Sequence, residues 1–154
     1  MKSTKILFVC LGNICRSPAA EGVMKSLSRG LPIEIQSAGT AGYHIGELPD
    51  LRMRAHARKR GYDLISHAQQ FDPLKHFQQF DYIIAMDGNN LSDLKGMDRS
   101  KQFHHKLSLM TDYSQSMDVN EVPDPYYGGP EGFEHVLDIL EDACAGLLKK
   151  LKAG

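Results

Sequence analysis

The sequence predicts an α/β fold built on a parallel sheet, and three observations lead there. Apolar runs of strand length alternate with helical patterns, the order expected of successive βαβ units. The first run, Ile6-Leu7-Phe8-Val9, is apolar without a break, as suits a strand covered on both faces. A long amphipathic pattern closes the chain. There Phe133, Val136, Leu137, Leu140, Cys144, Leu147, Leu148 and Leu151 recur at three- and four-residue spacing on one stripe.

The elements follow in order. After the first strand, Ser17-Pro18 reads as an N-cap followed by proline at the first helical position, opening a helix to about Arg29. Ile33 to Gln36 reads as the second strand, and Leu48 to Arg60 as a helix stopped by Gly61. Tyr82 to Met86 is the third strand, Asn89 to Lys95 a short helix, and Lys106 to Leu109 the fourth strand. Pro130, Glu131 and Glu134 open the last helix, and Lys149, Lys150 and Lys152 close it, as the helix dipole favours. Before it, Thr111 to Gly129 is polar, rich in Asp, Pro, Tyr and Gly, and long for a connection. Such loops in compact domains are often functional.

The 154 residues hold no repeat, low-complexity tract or linker, so one domain is expected over residues 1–154. Lys+Arg 18 against Asp+Glu 19 gives a net charge of −1, which argues against a nucleic-acid or membrane-surface binder. No apolar run approaches the roughly 18 residues of a membrane span, so no membrane insertion is expected. Ile6 to Leu11, behind Lys2 and Lys5, is too short for a signal peptide. Three cysteines, an odd number, do not make a disulfide framework, and a reducing cytoplasm is the expected setting. Arg52, Arg54, Arg58, Lys59 and Arg60 end a helix and read as a solvated basic face. There is no Cys-x-x-Cys or His-x-x-x-His, and adjacent His104-His105 have no third ligand, so no metal or cofactor is expected.

The chemistry concentrates in Cys10-Leu11-Gly12-Asn13-Ile14-Cys15-Arg16-Ser17-Pro18, where a buried strand hands over to a helix. In open parallel sheets, ligands bind at this end of the strands. Gly12 and Asn13 tolerate left-handed backbone angles, so the loop can turn successive N–H groups inward as an anion nest. The positive end of the following helix points to the same place. A cysteine at the head of such a nest is expected to react as the thiolate. Arg16 offers a planar fork matched to two phosphoryl oxygens. Nucleophile, cradle and guanidinium thus suit one tetrahedral dianion.

These nine residues resemble the signature loop of the low-molecular-weight protein tyrosine phosphatases. Val122-Pro123-Asp124-Pro125-Tyr126-Tyr127-Gly128 resembles that family's general-acid loop. Gly42-Tyr43-His44-Ile45-Gly46, Ser66-His67 and Met86-Asp87-x-x-Asn90-Leu91 fall in the same order and spacing, so the similarity covers about Thr4 to Lys150. The resemblance implies a single open four-stranded parallel sheet with helices on both faces, of the flavodoxin-like, phosphotyrosine phosphatase I-like kind. It also implies metal-free hydrolysis of phosphotyrosine, with no cofactor.

In that resemblance Cys10 is the nucleophile and forms a phosphocysteine, while Arg16 binds the phosphoryl group. Asp124 protonates the leaving tyrosyl oxygen, whose pKa near ~10 makes a bare phenoxide a poor leaving group, and then activates water. Leu11, Gly12, Asn13, Ile14, Cys15, Arg16 and Ser17 form the phosphate cradle, braced by Asn13, Ser17 and His67. Ser17 is expected to serve both as N-cap and as hydroxyl donor to Cys10. Leu11, Tyr43, His44, Tyr126 and Tyr127 wall the substrate slot. The implied partners are phosphotyrosine-containing proteins and phosphate or related oxyanions, met by a monomer or weak dimer.

Two other enzyme classes share this loop. A thioredoxin-coupled arsenate reductase needs two further cysteines downstream, and here only Cys144 follows Cys15. A protein-arginine phosphatase carries threonine where this chain has Ile14, and the apolar side chain favours an aryl phosphate. A non-catalytic phospho-ligand module would need neither Cys10 nor Asp124. Cys15 lies five residues after Cys10 in a loop curling round one anion, so a redox pair Cys10–Cys15 is expected.

Overall fold

Seven residues, Thr4–Cys10, form the central strand β1, and its alternating side chains serve two cores. Ile6 and Phe8 face one cluster of buried residues, while Leu7 and Val9 face another. All four are fully buried, which is why the run carries no polar residue. The computed structural model describes residues 3–154. Met1 and Lys2, with the Lys2 charge noted above, lie outside the described residues.

β2 (Ile33–Gly39) pairs with one side of β1 and β3 (Tyr82–Ala85) with the other; β4 (Leu107–Leu109) adds beyond β3. All pairs are parallel and the order is β2-β1-β3-β4, so the chain switches direction across the sheet at β1. That switch opens a crevice at the carboxyl end of β1. On the Ile6/Phe8 face pack α1 (Arg16–Leu27), α2 (Leu51–Lys59) and the long α5 (Pro130–Ala153). α3 (Pro73–Gln79) and α4 (Gly88–Met97) cover the opposite face through Phe77 and Leu94. The expected four-stranded parallel sheet with helices on both faces is therefore present.

Several boundaries differ from the sequence reading. β2 runs on to Gly39, three residues past Gln36. α2 begins at Leu51, because the Asp50 carboxylate accepts from the N–H groups of Arg52 and Met53 and so caps it there. α3 carries no long apolar stripe; its marks are only the Asp72 cap on the Leu74 N–H and Pro73 in the first turn. α1 starts at Arg16, with Cys15 in the cap position and no side-chain cap, so Ser17 is not an N-cap. The basic cluster is not simply solvated either. Arg60 reaches Glu134 at 2.7 Å, Asp138 at 2.9 Å and Glu141 at 2.7 Å, pinning the end of α2 to α5.

The first part of the polar connection is held against α5. A Cβ on Gly146 would collide with the Tyr113 carbonyl, so glycine inside the helix permits that backbone to settle on it. Asp142 then accepts from the N–H groups of Gln115, Ser116 and Met117.

α3 contains a buried histidine with a consequence for acid stability. His76 is 2% exposed, and its Nδ1 accepts from the Asp72 N–H at 2.9 Å. Burial lowers its pKa below 6.5, with Lys75 acting the same way and Asp72 opposing. The unfolded chain binds a proton near pH ~6.5 while the native state resists it, so this contribution is intact above that pH and is lost progressively below it. Urea midpoints at about pH 7.5 and about pH 5 should show a smaller acid loss in His76→Leu than in the parent. An undiminished loss would place the acid sensitivity elsewhere.

Candidate active site

Cys10 ends β1 at the mouth of the crevice and is 3% exposed. The loop after it crosses the end of β2 at close range. A Cβ on Gly39 would stand 2.6 Å from the Leu11 oxygen and 3.1 Å from the Asn13 nitrogen, so only glycine admits the crossing. Asn13 makes the turn with φ +57°, a conformation its side chain tolerates. Gly12 does not use that tolerance, since its φ is not positive. A Cβ here would stand 3.0 Å from Cδ2 of the partly exposed His44 ring, which would have to shift to admit it.

The loop's carbonyls point outward. Cys10 O accepts from Thr40 N (2.9 Å), Leu11 O from Ala41 N (2.9 Å) and Ile14 O from Asp50 N (2.5 Å). Among the described residues, no protein oxygen accepts from the N–H groups of Leu11 to Ser17. Unpartnered amides running into the first turn of α1 are what an anion requires.

Beneath the loop lies a chain of buried hydrogen bonds whose direction is fixed. Gln69 N donates to Asn13 Oδ1 at 2.9 Å, so the Asn13 amide must direct its NH2 group the other way. That NH2 donates to Ser17 Oγ (2.8 Å) and Ser37 Oγ (2.9 Å). Ser37 Oγ–H donates to Glu21 Oε1, and Glu21 pairs with Lys25 at 2.6 Å. Ser17, already an acceptor, has its O–H left for Cys10 Sγ at 2.9 Å. The expected bracing by His67 is not found. His67 is exposed and, among the described residues, makes no hydrogen bond to the loop; the Gln69 backbone occupies that position. No local motif in the sequence marks Ser37, Glu21 or Gln69 for this role.

Arg16 is 4% exposed and held at one corner. Its Nη1 donates to Asp87 Oδ2 at 2.6 Å and to the Val122 carbonyl at 3.0 Å. The same Asp87 carboxylate caps α4 by accepting from Asn90 N (2.8 Å), and the Asn90 side chain accepts from Asp87 N (3.3 Å). The Met86-Asp87-x-x-Asn90 motif is thus a capping box whose spare oxygen aims a guanidinium. Burial alone would disfavour the Arg16 charge, but Cys10 and Asp87 outweigh it and hold the pKa above its ordinary value. Nε and Nη2 have no protein acceptor among the described residues and are available to a ligand. Val122 also donates its N–H to Met86 O at 2.8 Å, which fixes the base of the segment carrying Asp124.

A cavity of about 250 Å3 is lined by Cys10, Leu11, Gly12, Ile14, Cys15, Arg16, Tyr43, His44, Asp124, Tyr126 and Tyr127. Asn13 and Ser17 lie buried beneath it. Asp124 is exposed, and its Oδ1 accepts from Tyr126 N at 3.0 Å. Tyr43 is 75% and Tyr127 94% exposed at the rim, and His44 meets Glu47 at 2.9 Å. Cys15 is 5% exposed; burial first, then Cys10, Asp50 and Asp124, push its thiol pKa well up against the opposing Arg16. Cys10, Cys15 and Cys144 are all free. Among the described residues, no group of three or more His, Cys, Asp or Glu side chains is disposed to hold a metal ion. A polar floor for a tetrahedral anion under apolar and aromatic walls is chemically suited to an aryl phosphate.

The sequence pattern of the family described as low molecular weight phosphotyrosine protein phosphatase matches residues 5–154. A Synechocystis protein provisionally named as a low molecular weight protein-tyrosine-phosphatase is 51% identical over 151 residues, spanning 96% of each chain. The human low molecular weight phosphotyrosine protein phosphatase is 37% identical over 150 residues, spanning 94% of each. A crystal structure of protein tyrosine phosphatase from Entamoeba histolytica, with Hepes in the active site, superposes with a TM-score of 0.93. It is 48% identical, and 99% of each chain is covered. The matched span includes the Cys10–Pro18 loop, the Asp87 anchor of Arg16 and the segment carrying Asp124, and on it this chain belongs to the low molecular weight phosphotyrosine protein phosphatase family.

Proposed function

We propose that residues 1–154 act as one catalytic domain that hydrolyses phosphotyrosine through a phosphocysteine on Cys10. The observation that carries this reading is the shared cavity, where Cys10, the free edge of Arg16 and Asp124 meet over unpartnered loop amides. Cys10 Sγ attacks phosphorus, forming the S–P bond as the bond to the aryl oxygen breaks. Asp124 gives that oxygen its proton, while Arg16 and the loop N–H groups hold the charge on the three equatorial oxygens. Asp124 next takes a proton from water as it attacks the phosphocysteine. The S–P bond breaks, and phosphate leaves.

Ile14 in the cavity wall supports an aryl rather than a guanidinium phosphate. Cys144 is fully buried on α5 with its sulfur towards Ala20 O, which does not suit a reductase relay. The expected partners are phosphotyrosine-bearing proteins, met in a reducing cytoplasm by a monomer or weak dimer.

The test is hydrolysis of p-nitrophenyl phosphate in EDTA, with peptide mapping of acid-quenched enzyme. Activity should persist and phosphate should map to Cys10; loss on chelation, or phosphate on another residue, overturns the reading. Asp124→Asn should slow the burst with phosphotyrosine by about 10²- to 10³-fold, and less with p-nitrophenyl phosphate, whose phenoxide is more stable. Equal slowing would make another group the acid.

We also propose Cys10 and Cys15 as a redox pair. Peroxide oxidises the Cys10 thiolate to a sulfenic acid and is itself reduced to water; the Cys15 sulfur then attacks the Cys10 sulfur, forming S–S as the S–O bond breaks and the hydroxyl leaves with the Cys15 proton as water. After peroxide and then dithiothreitol, the parent should recover with a mapped Cys10–Cys15 link. Cys15→Ser should be over-oxidised and recover poorly. Equal recovery would leave Cys15 a packing residue.

A further inference from the structure

We propose that Arg52 is a positioning residue that holds the Asp124 segment over the phosphate loop, an inference resting on Asp124 as the general acid. A continuous set of contacts joins the two loops. Asp50 donates its N–H to Ile14 O at 2.5 Å, inside the phosphate cradle. Its carboxylate holds the Arg52 guanidinium at two points, Oδ1 accepting from Nε (3.3 Å) and Oδ2 from Nη2 (3.1 Å). The guanidinium so fixed stands 4.9 Å from the ring centroid of Phe133 and 5.2 Å from that of Tyr126. Phe133, 1% exposed in α5, is a rigid backstop, whereas Tyr126 belongs to the catalytic segment. Tyr126 N in turn donates to Asp124 Oδ1.

What gives Arg52 its leverage is the lack of other polar ties. Val122 is gripped by Met86 and Arg16, but beyond it the segment is on its own. Among the described residues, the hydrogen bonds of Pro123 to Gly128 stay within the segment: Tyr126 N to Asp124, and Gly128 N to Pro125 O. Buried Pro125 packs beside Gly132 in the first turn of α5. A planar cation between two aromatic faces fixes the Tyr126 ring in position and orientation, and lysine cannot reproduce that together with the two-point grip of Asp50. Proton donation to the leaving oxygen needs hydrogen-bond reach, so loss of Arg52 should act on that step before any other.

The experiment measures kcat/KM for a series of aryl phosphates of rising leaving-group pKa, in the parent, Arg52→Met, Arg52→Lys, Asp124→Asn and the Arg52→Met/Asp124→Asn double variant. This ratio reports formation of the intermediate whichever step limits turnover. In Arg52→Met, phenyl phosphate should lose about tenfold while p-nitrophenyl phosphate stays within about twofold, with Arg52→Lys in between. Inhibition by vanadate should stay within about twofold, because the cradle is untouched. The double variant should be no steeper in leaving-group dependence than Asp124→Asn. A parent-like slope in both Arg52 variants, beside a steepened Asp124→Asn, overturns the proposal. So does an equal loss on every substrate with weakened vanadate binding, which would assign Arg52 to cradle stability through Asp50. If Asp124→Asn leaves the slope unchanged, the acid assignment itself fails, and that result is distinct from the others. Thermal unfolding checks the fold of each variant, and Arg52→Lys keeps the test decisive if Arg52→Met is poorly folded.

Discussion

Cys10→Ser should abolish measurable turnover of aryl phosphates while leaving vanadate and phosphate binding intact. A hydroxyl is far less ionised than a thiol, so the attacking atom is lost, and a fall of at least about 10⁴-fold is the scale seen when a covalent nucleophile is removed. Binding should survive because the anion is held by other groups. The loop N–H groups from Leu11 to Ser17 and the free edge of Arg16 are unchanged. The fold should survive too, since the replacement is nearly isosteric and Ser17 Oγ, 2.9 Å away, can hydrogen-bond to an oxygen as readily as to sulfur. Progress curves at high enzyme concentration, with calorimetric titration of vanadate, measure both sides. Turnover within tenfold of the parent would remove Cys10 from the chemistry. Loss of vanadate binding would instead make its sulfur part of the cradle.

What was legible in the sequence was contiguous in it. Ile6 to Val9 announced a strand buried on both faces, and the structure divides those residues between two cores. The α5 stripe and the Cys10–Pro18 loop were readable for the same reason, each being a local pattern with a local cause. Ser17 shows where local reasoning goes wrong. Ser-Pro is a sound cap signal, yet a capping side chain would occupy N–H groups that an anion site needs free. Here α1 has no side-chain cap, and the Ser17 hydroxyl serves the Cys10 sulfur. A functional site has overridden a folding rule. The partners from distant parts of the chain left no such trace. Ser37, Gln69 and Arg52 reach the site from β2, a loop and the first turn of α2, whereas Asp87 stood in a visible motif whose hold on Arg16 did not show. Nothing in their neighbours' identities says where they converge. In sequence Arg52 is one charge of a basic cluster, because the two aromatic faces that meet it lie far off at residues 126 and 133.

Arg16→Lys should lower kcat/KM for aryl phosphates by about 10³-fold with little loss of stability, the magnitude associated with removing a guanidinium from phosphoryl transfer. The two outcomes separate because the guanidinium has two tasks. Nη1 is occupied by structure: it meets Asp87 Oδ2 at 2.6 Å and Val122 O at 3.0 Å, in a site where Arg16 is 4% exposed. A lysine ammonium can reach one or both of these acceptors, so Asp87 keeps a cation and the α4 cap is not left beside an unpaired carboxylate. Nε and Nη2 are the remaining edge, two parallel donors on a rigid plane, and lysine has no counterpart once its charge is spent on Asp87. Charge developing on the equatorial oxygens then loses its only cationic partner among the cavity-lining residues. The loss should appear in kcat as well as KM, because the fork is matched to the transition state more closely than to the ground state. Stability is read from urea midpoints and catalysis from kcat/KM on p-nitrophenyl phosphate. Activity within tenfold of the parent would mean that the loop amides alone carry the phosphoryl charge. A collapse of the urea midpoint would mean that Arg16 is first a structural tie between β3, α4 and the Asp124 segment.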